Sequence, residues 1–251
     1  MPSVEHIFCH PIKAVGRTSL DFVQLVAGET LLHDRMYAVM HEASKFDIDA
    51  PEWVRCGNFI RGAKAPELQA ISISQFAAGD MMVLKHPDHP PFQFNPENTD
   101  EHAGFIAWLS QFVPDNRAQP AALIKAPTQG MTDRDQPFIS VLNLASLQEL
   151  SEKSGQPMAP ERFRGNIWLD GMDAWEERSW IGKTMRIGLA HVVIREHITR
   201  CMATTANPLT GTQDVATLDI LENNWGHSDF GVYAEVIKTG GVDQYDGAHI
   251  L

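Results

Sequence analysis

The chain has 251 residues, enough for one large domain or two modest ones with a buried core. Its 20 Lys and Arg residues stand against 32 Asp and Glu residues, a net charge of −12 that argues against general affinity for nucleic acid or anionic membranes. With 43% hydrophobic and 21% charged residues, global disorder is excluded.

The cysteine content and the N-terminal sequence bear on the compartment. Three cysteines, Cys9, Cys56 and Cys201, cannot form a fully paired disulfide framework, and no CxxC is present. No apolar run approaches the roughly 18 residues that a membrane helix needs. The first residues show no basic segment followed by an apolar core. The sequence therefore predicts reduced thiols in a cytoplasmic protein with no membrane partner.

The first hundred residues read as short strands. Apolar and β-branched residues predict strands at 4–10 and 36–41. Residues 68–73 and 81–84 flank the turn-like AAGD, which suggests a hairpin.

A proline-rich segment separates these strands from a helix. KHPDHPPFQFNPE is predicted to be loop, because proline cannot donate to a sheet ladder. Thr99 and Asp100 are good capping residues for EHAGFIAWLSQFV, whose apolar residues follow a 3.6-residue period. Pro114 is predicted to end this helix.

The second half has more strand than helix. Residues 118–135 are polar and contain Pro and Gly, so we place a boundary here between domains 1–117 and 118–251. Further elements are predicted in chain order: a helix at 144–153 ending at Gly155, strands at 166–169 and 185–198, a short helix in DVATLDILENN and a final strand in FGVYAEVI. This pattern predicts a mainly β (α+β) fold of linked barrels or sandwiches.

Common catalytic motifs are absent: there is no GxGxxG, GxxxxGK[ST], HExxH or GxSxG. His86 and His89 lie three apart in the proline-rich segment, where a solvated loop is favoured over a metal site. Asp173, Glu176 and Glu177 are better explained as a charged loop than as paired catalytic acids, because nothing fixes their separation.

A cysteine segment, HITRCMATTANPLTGTQD, is more informative. Cys201 follows a β-branched strand and precedes a turn that contains Asn207 and Pro208. The neighbouring Arg200 favours the thiolate over the thiol, and thiolate is a preferred ligand of soft transition metals. A small buried hydrophobic role for this cysteine stays open as the alternative.

A second segment, PERFRGNIWLDG, suggests an anionic ligand. Arg162, Arg164 and Asn166 share one face if the chain is extended. Two guanidiniums and an amide suit a phosphate ester. Surface salt bridges on an outward strand face are the alternative.

These segments resemble a known family. ITRCMATTANPLTG resembles the cysteine motif of MOSC domains, the fold shared by the molybdenum-cofactor sulfurase C-terminal region and the mitochondrial amidoxime-reducing component. LNLASLQEL, RFRGNIWLDG and FGVYAEVIKTGGV agree with the family in order. HPIKAVG and LDFVQLVAGETLLHDRMYAV resemble its accompanying N-terminal domain. The resemblance implies a MOSC N-terminal β-barrel domain followed by a MOSC β-barrel domain.

The resemblance also implies a molybdenum–molybdopterin cofactor, with no pyridoxal phosphate, which belongs to a separate domain of the sulfurases. Cys201 matches the residue whose thiolate ligates molybdenum. The other matched cofactor contacts are Lys13 of HPIK, Arg35 of HDR, Arg164 and Asn166 of FRGN, Thr199 and Tyr233.

The sequence departs from the family pattern at three places. Ala14 stands where Ser is common, and His33 stands where Gly is usual before Asp-Arg. The usual T-x-R segment is replaced around FIRGAKAP, with Lys64 nearby. Cys56 and Cys9 have no match and are predicted to be incidental.

The resemblance implies an oxidoreductase that reduces N-hydroxylated or N-oxide small molecules. The two domains fill the chain and leave no cysteine cluster for an iron–sulfur centre, so we expect a separate ferredoxin- or flavoprotein-type electron donor. Two alternatives stay open. One is a carrier or binding module that passes on the cofactor or its sulfur, and the other is a metal-free protein that acts through protein contacts.

Overall fold

A computed structural model describes residues 2–74, 81–127 and 129–251 and confirms the mainly β fold. In chain order the strands of this described part are β1 (Ser3–Cys9), β2 (Thr18–Leu20), β3 (Phe22–Leu25), β4 (Tyr37–His41), β5 (Ser72–Ser74), β6 (Met82–His86), β7 (His89–Phe94), β8 (Pro120–Lys125), β9 (Phe138–Asn143), β10 (Ile167–Asp170), β11 (Thr184–Ile187), β12 (Ala190–Thr199), β13 (Asp229–Lys238), β14 (Gly240–Asp243) and β15 (Ala248–Ile250). The α-helices of the same part are α1 (His102–Ser110), α2 (Leu144–Ser154) and α3 (Thr217–Trp225).

The largest sheet has the strand order β15-β11-β12-β13-β9-β10-β1-β2. Most neighbours are antiparallel, but β9 and β10 are parallel, and α2 lies in the connection between them. Asn143 begins α2 by accepting a hydrogen bond from the Ala145 N–H, and Gly155 ends it with a φ of +75°. The fold therefore contains one β-α-β crossover within an otherwise antiparallel arrangement.

Smaller sheets build the N-terminal half. β4 pairs with β8, while β5, β6 and β7 form a three-stranded sheet against which α1 packs. Phe94 and Phe105 stack at a centroid distance of 4.4 Å in this core. The predicted helix after Thr99 is confirmed as α1, which follows a 3-10 turn at Thr99–Glu101.

Four strands pair across the proposed division between residues 117 and 118. From the first half, β1 and β2 lie in the large sheet and β3 pairs with β14, while β8 of the second half pairs with β4. The division at this point stays a proposal.

Several predicted elements differ from the structure. The prediction that the proline-rich segment is a loop is wrong, because part of it forms β7. β7 is the edge strand of its sheet, where a backbone N–H is not needed for pairing and proline is tolerated. The predicted strand at 185–198 is two strands, β11 and β12, that turn at Gly188 with a φ of +54°. The AAGD turn lies outside the described residues, although β5 and β6 do pair.

The final predicted strand is confirmed as β13, but two short strands follow it. β14 pairs with β3, and β15 pairs with β11. No helix in the described part of the chain is long and apolar enough to cross a membrane.

Candidate functional site

One cavity of about 350 Å³ lies between the large sheet and the N-terminal half. Its wall contains all seven residues matched to cofactor contacts, which come from distant parts of the sequence: Lys13, Arg35, Arg164, Asn166, Thr199, Cys201 and Tyr233.

Cys201 lies at the end of β12, on the cavity wall, and its side chain is exposed. Its carbonyl accepts hydrogen bonds from the N–H and the hydroxyl of Thr204, and that hydroxyl contacts the Thr217 hydroxyl of α3 at 2.7 Å. The Cys201 Sγ atom makes no hydrogen bond with any residue the structure describes. The fold thus fixes the backbone and leaves the thiol available.

Arg200 has no carboxylate partner among the described residues. Its Nη1 donates to the Phe163 carbonyl at 2.8 Å, and its Nε donates to the Phe230 carbonyl at 2.8 Å. The guanidinium carbon lies 5.5 Å and 5.9 Å from the ring centroids of these two phenylalanines. Burial lowers the pKa of Arg200 to about 10, so the residue stays charged beside Cys201.

Lys13 also lines the cavity and is almost fully buried. Its ammonium donates to the carbonyls of Met131 (2.8 Å) and Thr132 (3.2 Å) and to the carboxylate of Asp133 (2.6 Å). These contacts use all three of its donors. Burial disfavours the Asp133 carboxylate, but Lys13 and nearby guanidiniums outweigh this effect and lower its pKa to about 2.

Arg35 is held in the left-handed region with a φ of +53°. Its guanidinium pairs with the buried Asp34 carboxylate and donates to the Arg164 carbonyl at 3.1 Å. Gly130 packs against this corner so closely that a Cβ there would lie 2.0 Å from the Asp34 carbonyl oxygen. Burial opposes ionisation of Asp34, yet Arg35 and His10 keep its pKa below the usual value.

The segment PERFRGN is not extended, so the predicted shared face is wrong. Pro160–Phe163 form a 3-10 helix, and Arg164 adopts a left-handed conformation with a φ of +49°. Arg162 also contributes to the cavity wall, but its guanidinium pairs with Asp214 at 2.8 Å.

Arg164 and Asn166 still reach the cavity. The Arg164 guanidinium donates to the Gly16 carbonyl at 2.9 Å, and burial together with Arg35 lowers its pKa to about 9. The Asn166 side-chain oxygen accepts from the Ser140 hydroxyl at 2.8 Å, and its amide donates to the Phe8 carbonyl at 3.3 Å. Asn166 therefore links three strands of the large sheet at the cavity wall.

Thr199 and Tyr233 complete the matched set. The Thr199 hydroxyl donates to Asp229 at 2.8 Å. The Tyr233 ring lies 5.4 Å from the Arg134 guanidinium carbon, and burial raises the pKa of its hydroxyl, so the phenol is neutral.

Three further residues on this wall were not identified as site residues from sequence. Asp133 and Cys56 line the cavity, and so does Arg61 in the segment where the family's T-x-R is replaced. Ala14 lines it too, whereas Lys64 is exposed and does not. Cys9 is buried away from it. The absence of Asp or Glu between Trp53 and Pro66 is a sequence signal that could have indicated Arg61.

The charges around the cavity do not cancel. Among the described residues, Lys13, Arg35, Arg164 and Arg200 contact two carboxylates, Asp34 and Asp133, so positive charge is in excess. Arg61 on the same wall adds to this excess. The guanidiniums of Arg164 and Arg200 are instead bound by backbone carbonyls. Such a wall favours an anionic ligand.

A second cavity of about 290 Å³ lies in the N-terminal half. Its lining includes Phe46, Ile48 and a carboxylate, Glu97. Glu97 accepts hydrogen bonds from the Tyr37 hydroxyl and, at 2.9 Å, from the Lys125 ammonium. One carboxylate and one ammonium therefore balance each other here. In the described residues, no group of three or more His, Cys, Asp and Glu side chains could hold a metal ion.

The fold and the first cavity define a mainly β protein with a cationic pocket beside an exposed cysteine. Comparison with known families identifies a MOSC N-terminal β-barrel domain at residues 1–113 and a MOSC domain at residues 129–247. The chain belongs to the family of MOSC-domain proteins that carry this N-terminal barrel.

The chain is similar to two mammalian proteins and to one solved bacterial structure. Mitochondrial amidoxime-reducing component 1 of Mus musculus is 31% identical over 247 residues, which cover 84% of this chain and 68% of that protein. Mitochondrial amidoxime reducing component 2 of Homo sapiens is 27% identical over 250 residues, covering 84% and 69%. The solved YuaD protein from Bacillus subtilis is 13% identical, with a TM-score of 0.46 over 99% of this chain and 94% of that one.

Proposed function

We propose that this chain is a molybdenum-cofactor-dependent oxidoreductase that reduces N-hydroxylated or N-oxide small molecules. One observation carries the proposal: the same cavity joins the unbonded thiol of Cys201 to a wall with more cations than carboxylates. The names of the mammalian relatives, amidoxime reducing components, support the same reaction class.

The residues of the cavity fit a molybdenum–pterin cofactor that ends in a phosphate. Cys201 offers an exposed sulfur, the kind of ligand that soft metals prefer. The excess of positive charge on this wall suits a phosphate monoester, which carries roughly −1.5 to −2 charge at neutral pH. Asn166, Thr199 and Tyr233 add polar groups for the ring heteroatoms.

When bound, the cofactor supplies the two-electron chemistry that removes oxygen from the substrate. For an amidoxime, two electrons and two protons break the N–O bond and give an amidine and water. Cys201 would hold the metal on the open side of the cavity, where a substrate can reach it. Lys13, Arg35 and Arg164 would hold the phosphate, and Arg200 would fix the backbone before the cysteine.

The source of electrons and the compartment belong to the same proposal. A separate ferredoxin- or flavoprotein-type donor delivers the electrons, and the reaction takes place in the cytoplasm, as the cysteine content of the sequence predicts.

Metal and pterin analysis tests cofactor binding. Protein made in a molybdenum-replete host should carry molybdenum, and Cys201→Ala should lower its content by more than about tenfold, because a ligand to the metal is lost. Cys56→Ala, which changes another thiol of the same wall, should retain it. Wild-type protein without molybdenum, or a fully loaded Cys201→Ala, contradicts the assignment.

A turnover assay tests the reductase. The metal-loaded chain should reduce benzamidoxime to benzamidine with chemically reduced viologen as the electron source. The exposure of Cys201 favours one alternative, a protein that passes its cofactor or sulfur to an acceptor. Loaded protein that gives no benzamidine would refute the reductase and support that carrier.

A further inference from the structure

A basic strip borders the cavity. Residues 53–66, which we call the basic strip, contain Arg55, Arg61 and Lys64 and no Asp or Glu. The whole chain has a net charge of −12, so a local charge of +3 over fourteen residues runs against its general character.

The strip lies next to the loop that carries the cysteine. Cys56, Ile60, Arg61, Gly62 and Ala63 all line the first cavity. A Cβ on Gly62 would lie 3.4 Å from the Cβ of Ala203, two residues beyond Cys201. The strip and the Cys201 loop therefore form adjoining parts of one rim.

Within the strip, the three cations have different surroundings. Arg61 is partly buried and lines the cavity, whereas Arg55 and Lys64 are exposed and do not. Neither the Arg55 nor the Lys64 side chain has an ion-pair or hydrogen-bond partner in the part of the chain that the structure describes. These two charges are available to a molecule that approaches from solvent.

Two other arginines behave differently. Arg134, which lines the cavity, pairs with Glu196 at 2.5 Å, and Arg178 pairs with Asp229 at 3.6 Å. These two cations are compensated within the chain. The carboxylates that precede the strip belong to a stretch whose Ile48 and Pro51 line the second cavity.

We propose that the basic strip is the docking site for a small acidic electron-transfer protein. This inference rests on the proposed function and names the partner by its chemistry. An acidic carrier is repelled by most of a surface with a net charge of −12 and attracted only where cations are uncompensated. Met202, 47% exposed beside Cys201, offers an apolar contact at the same rim. Each carrier molecule gives one electron, so two are oxidised for each N–O bond that is reduced.

The test uses a charge-reversed strip and a matched control. The variant Arg55→Glu/Lys64→Glu is compared with Lys153→Glu/Lys238→Glu, which makes the same change in net charge at exposed positions that do not line the cavity. The probe is an acidic [2Fe–2S] ferredoxin, kept reduced by dithionite, with benzamidoxime as substrate. Rates are measured at about 0.02 M and about 0.5 M salt, where screening lengths differ several-fold.

At low salt the strip variant should lose about tenfold or more in ferredoxin-driven rate, the scale on which electrostatic steering acts. High salt should remove the difference, and the control should stay within about twofold of wild type. Viologen-driven turnover should be equal in all three proteins. A strip variant with the wild-type rate and salt dependence overturns the proposal, as does an equal loss in the control.

A direct binding measurement separates this proposal from the proposed function. Ferredoxin binding to each protein is followed at low salt by calorimetry, which requires no turnover. If viologen supports no reduction, the reductase proposal fails, and the strip is judged by binding alone. Binding that is weakened about tenfold only in the strip variant supports the docking site, and equal binding in all proteins refutes it.

Discussion

The two cavities are similar in size and differ in charge balance. Their volumes are about 350 Å³ and 290 Å³, and both contain ionised side chains. In the second, Glu97 is neutralised by Lys125 and also accepts from Tyr37. In the first, the guanidiniums of Arg164 and Arg200 are bound by carbonyls, and no carboxylate of the described residues pairs with either.

Charge balance, and not size, indicates which of the two cavities takes a ligand. Volume does not distinguish the two cavities, whereas uncompensated buried charge does. A buried cation without a counter-ion is unfavourable, and its pKa falls, as it does for Arg164. An anionic ligand relieves that penalty at the first cavity, while the second has no such penalty to relieve.

The largest effect should come from removing a cation of the first cavity. Arg164→Met should lower pterin content of the purified protein by about 10- to 100-fold, because a hydrogen bond to a charged group contributes roughly 1.5–3 kcal/mol. Lys125→Met, which removes the cation of the second cavity, should leave the pterin content unchanged. Equal losses in both variants would remove the distinction between the cavities.

The buried pair of His10 and Asp34 should make the folded protein less stable in acid. His10 donates its backbone N–H to Asp34 at 2.7 Å, and burial lowers the pKa of its ring to about 3. In the unfolded chain the His10 ring binds a proton near pH ~6.5, whereas in the folded chain it stays neutral down to about pH 3. The free energy of unfolding therefore falls as the pH drops from about 6.5 towards 3.

Replacing this histidine should make the free energy of unfolding depend less on pH below about 6.5. For His10→Gln, the loss of unfolding free energy between about pH 6.5 and pH 5 should be smaller than in wild type by up to ~2 kcal/mol. Urea unfolding at both pH values measures the loss, and comparing two pH values for one protein cancels any constant effect of the substitution. Parallel pH profiles would show that His10 does not remain neutral in the fold.

A smaller effect is expected at the carboxylate that contacts Lys13. The Asp133 carboxylate lines the cavity and accepts from one of the three ammonium donors of Lys13. Asp133→Asn should therefore tighten the binding of inorganic pyrophosphate to the metal-free chain by about three- to fivefold, the ~1 kcal/mol scale of a single partly exposed ion pair. Calorimetry measures the affinity, and Asp135→Asn is the neighbouring control. Weaker binding in Asp133→Asn would mean that this carboxylate supports the ligand.

The smallest effect should come from the second cavity. Glu97→Gln should change unfolding free energy by no more than ~1 kcal/mol and leave pyrophosphate affinity unchanged, because its ion pair is largely exposed. A change in anion affinity after this substitution would mean that the two cavities communicate.

Local sequence signals located many elements of the fold. Gly155 indicated the end of α2, and the β-branched run before Cys201 indicated β12. Local signals failed where neighbouring chain segments decide the conformation. The prolines of β7 are tolerated because that strand is an edge, and this can be known only from the assembled sheet.

The same limit applies to the site. The positions matched through the MOSC resemblance, such as Lys13 and Arg164, all lie on one wall, and their roles remain proposals. The contact between Lys13 and Asp133 joins residues 120 apart, and no local pattern around Asp133 indicates it. Alternation along an extended strand predicts Arg162, Arg164 and Asn166 on one face, but Arg164 reaches the cavity from a left-handed turn.

The placement of β1 has a consequence for synthesis of the chain on the ribosome. Ser3 pairs with Asp170, so the first strand to be made has to wait for the central region before its partner β10 exists. Pairing over such sequence separation is slow, and an unpaired strand is prone to aggregate in the meantime. β2 can pair with one edge of β1 early. We expect the other edge, which pairs with β10, to stay open until more than two thirds of the chain has been made, a period in which a chaperone could bind it.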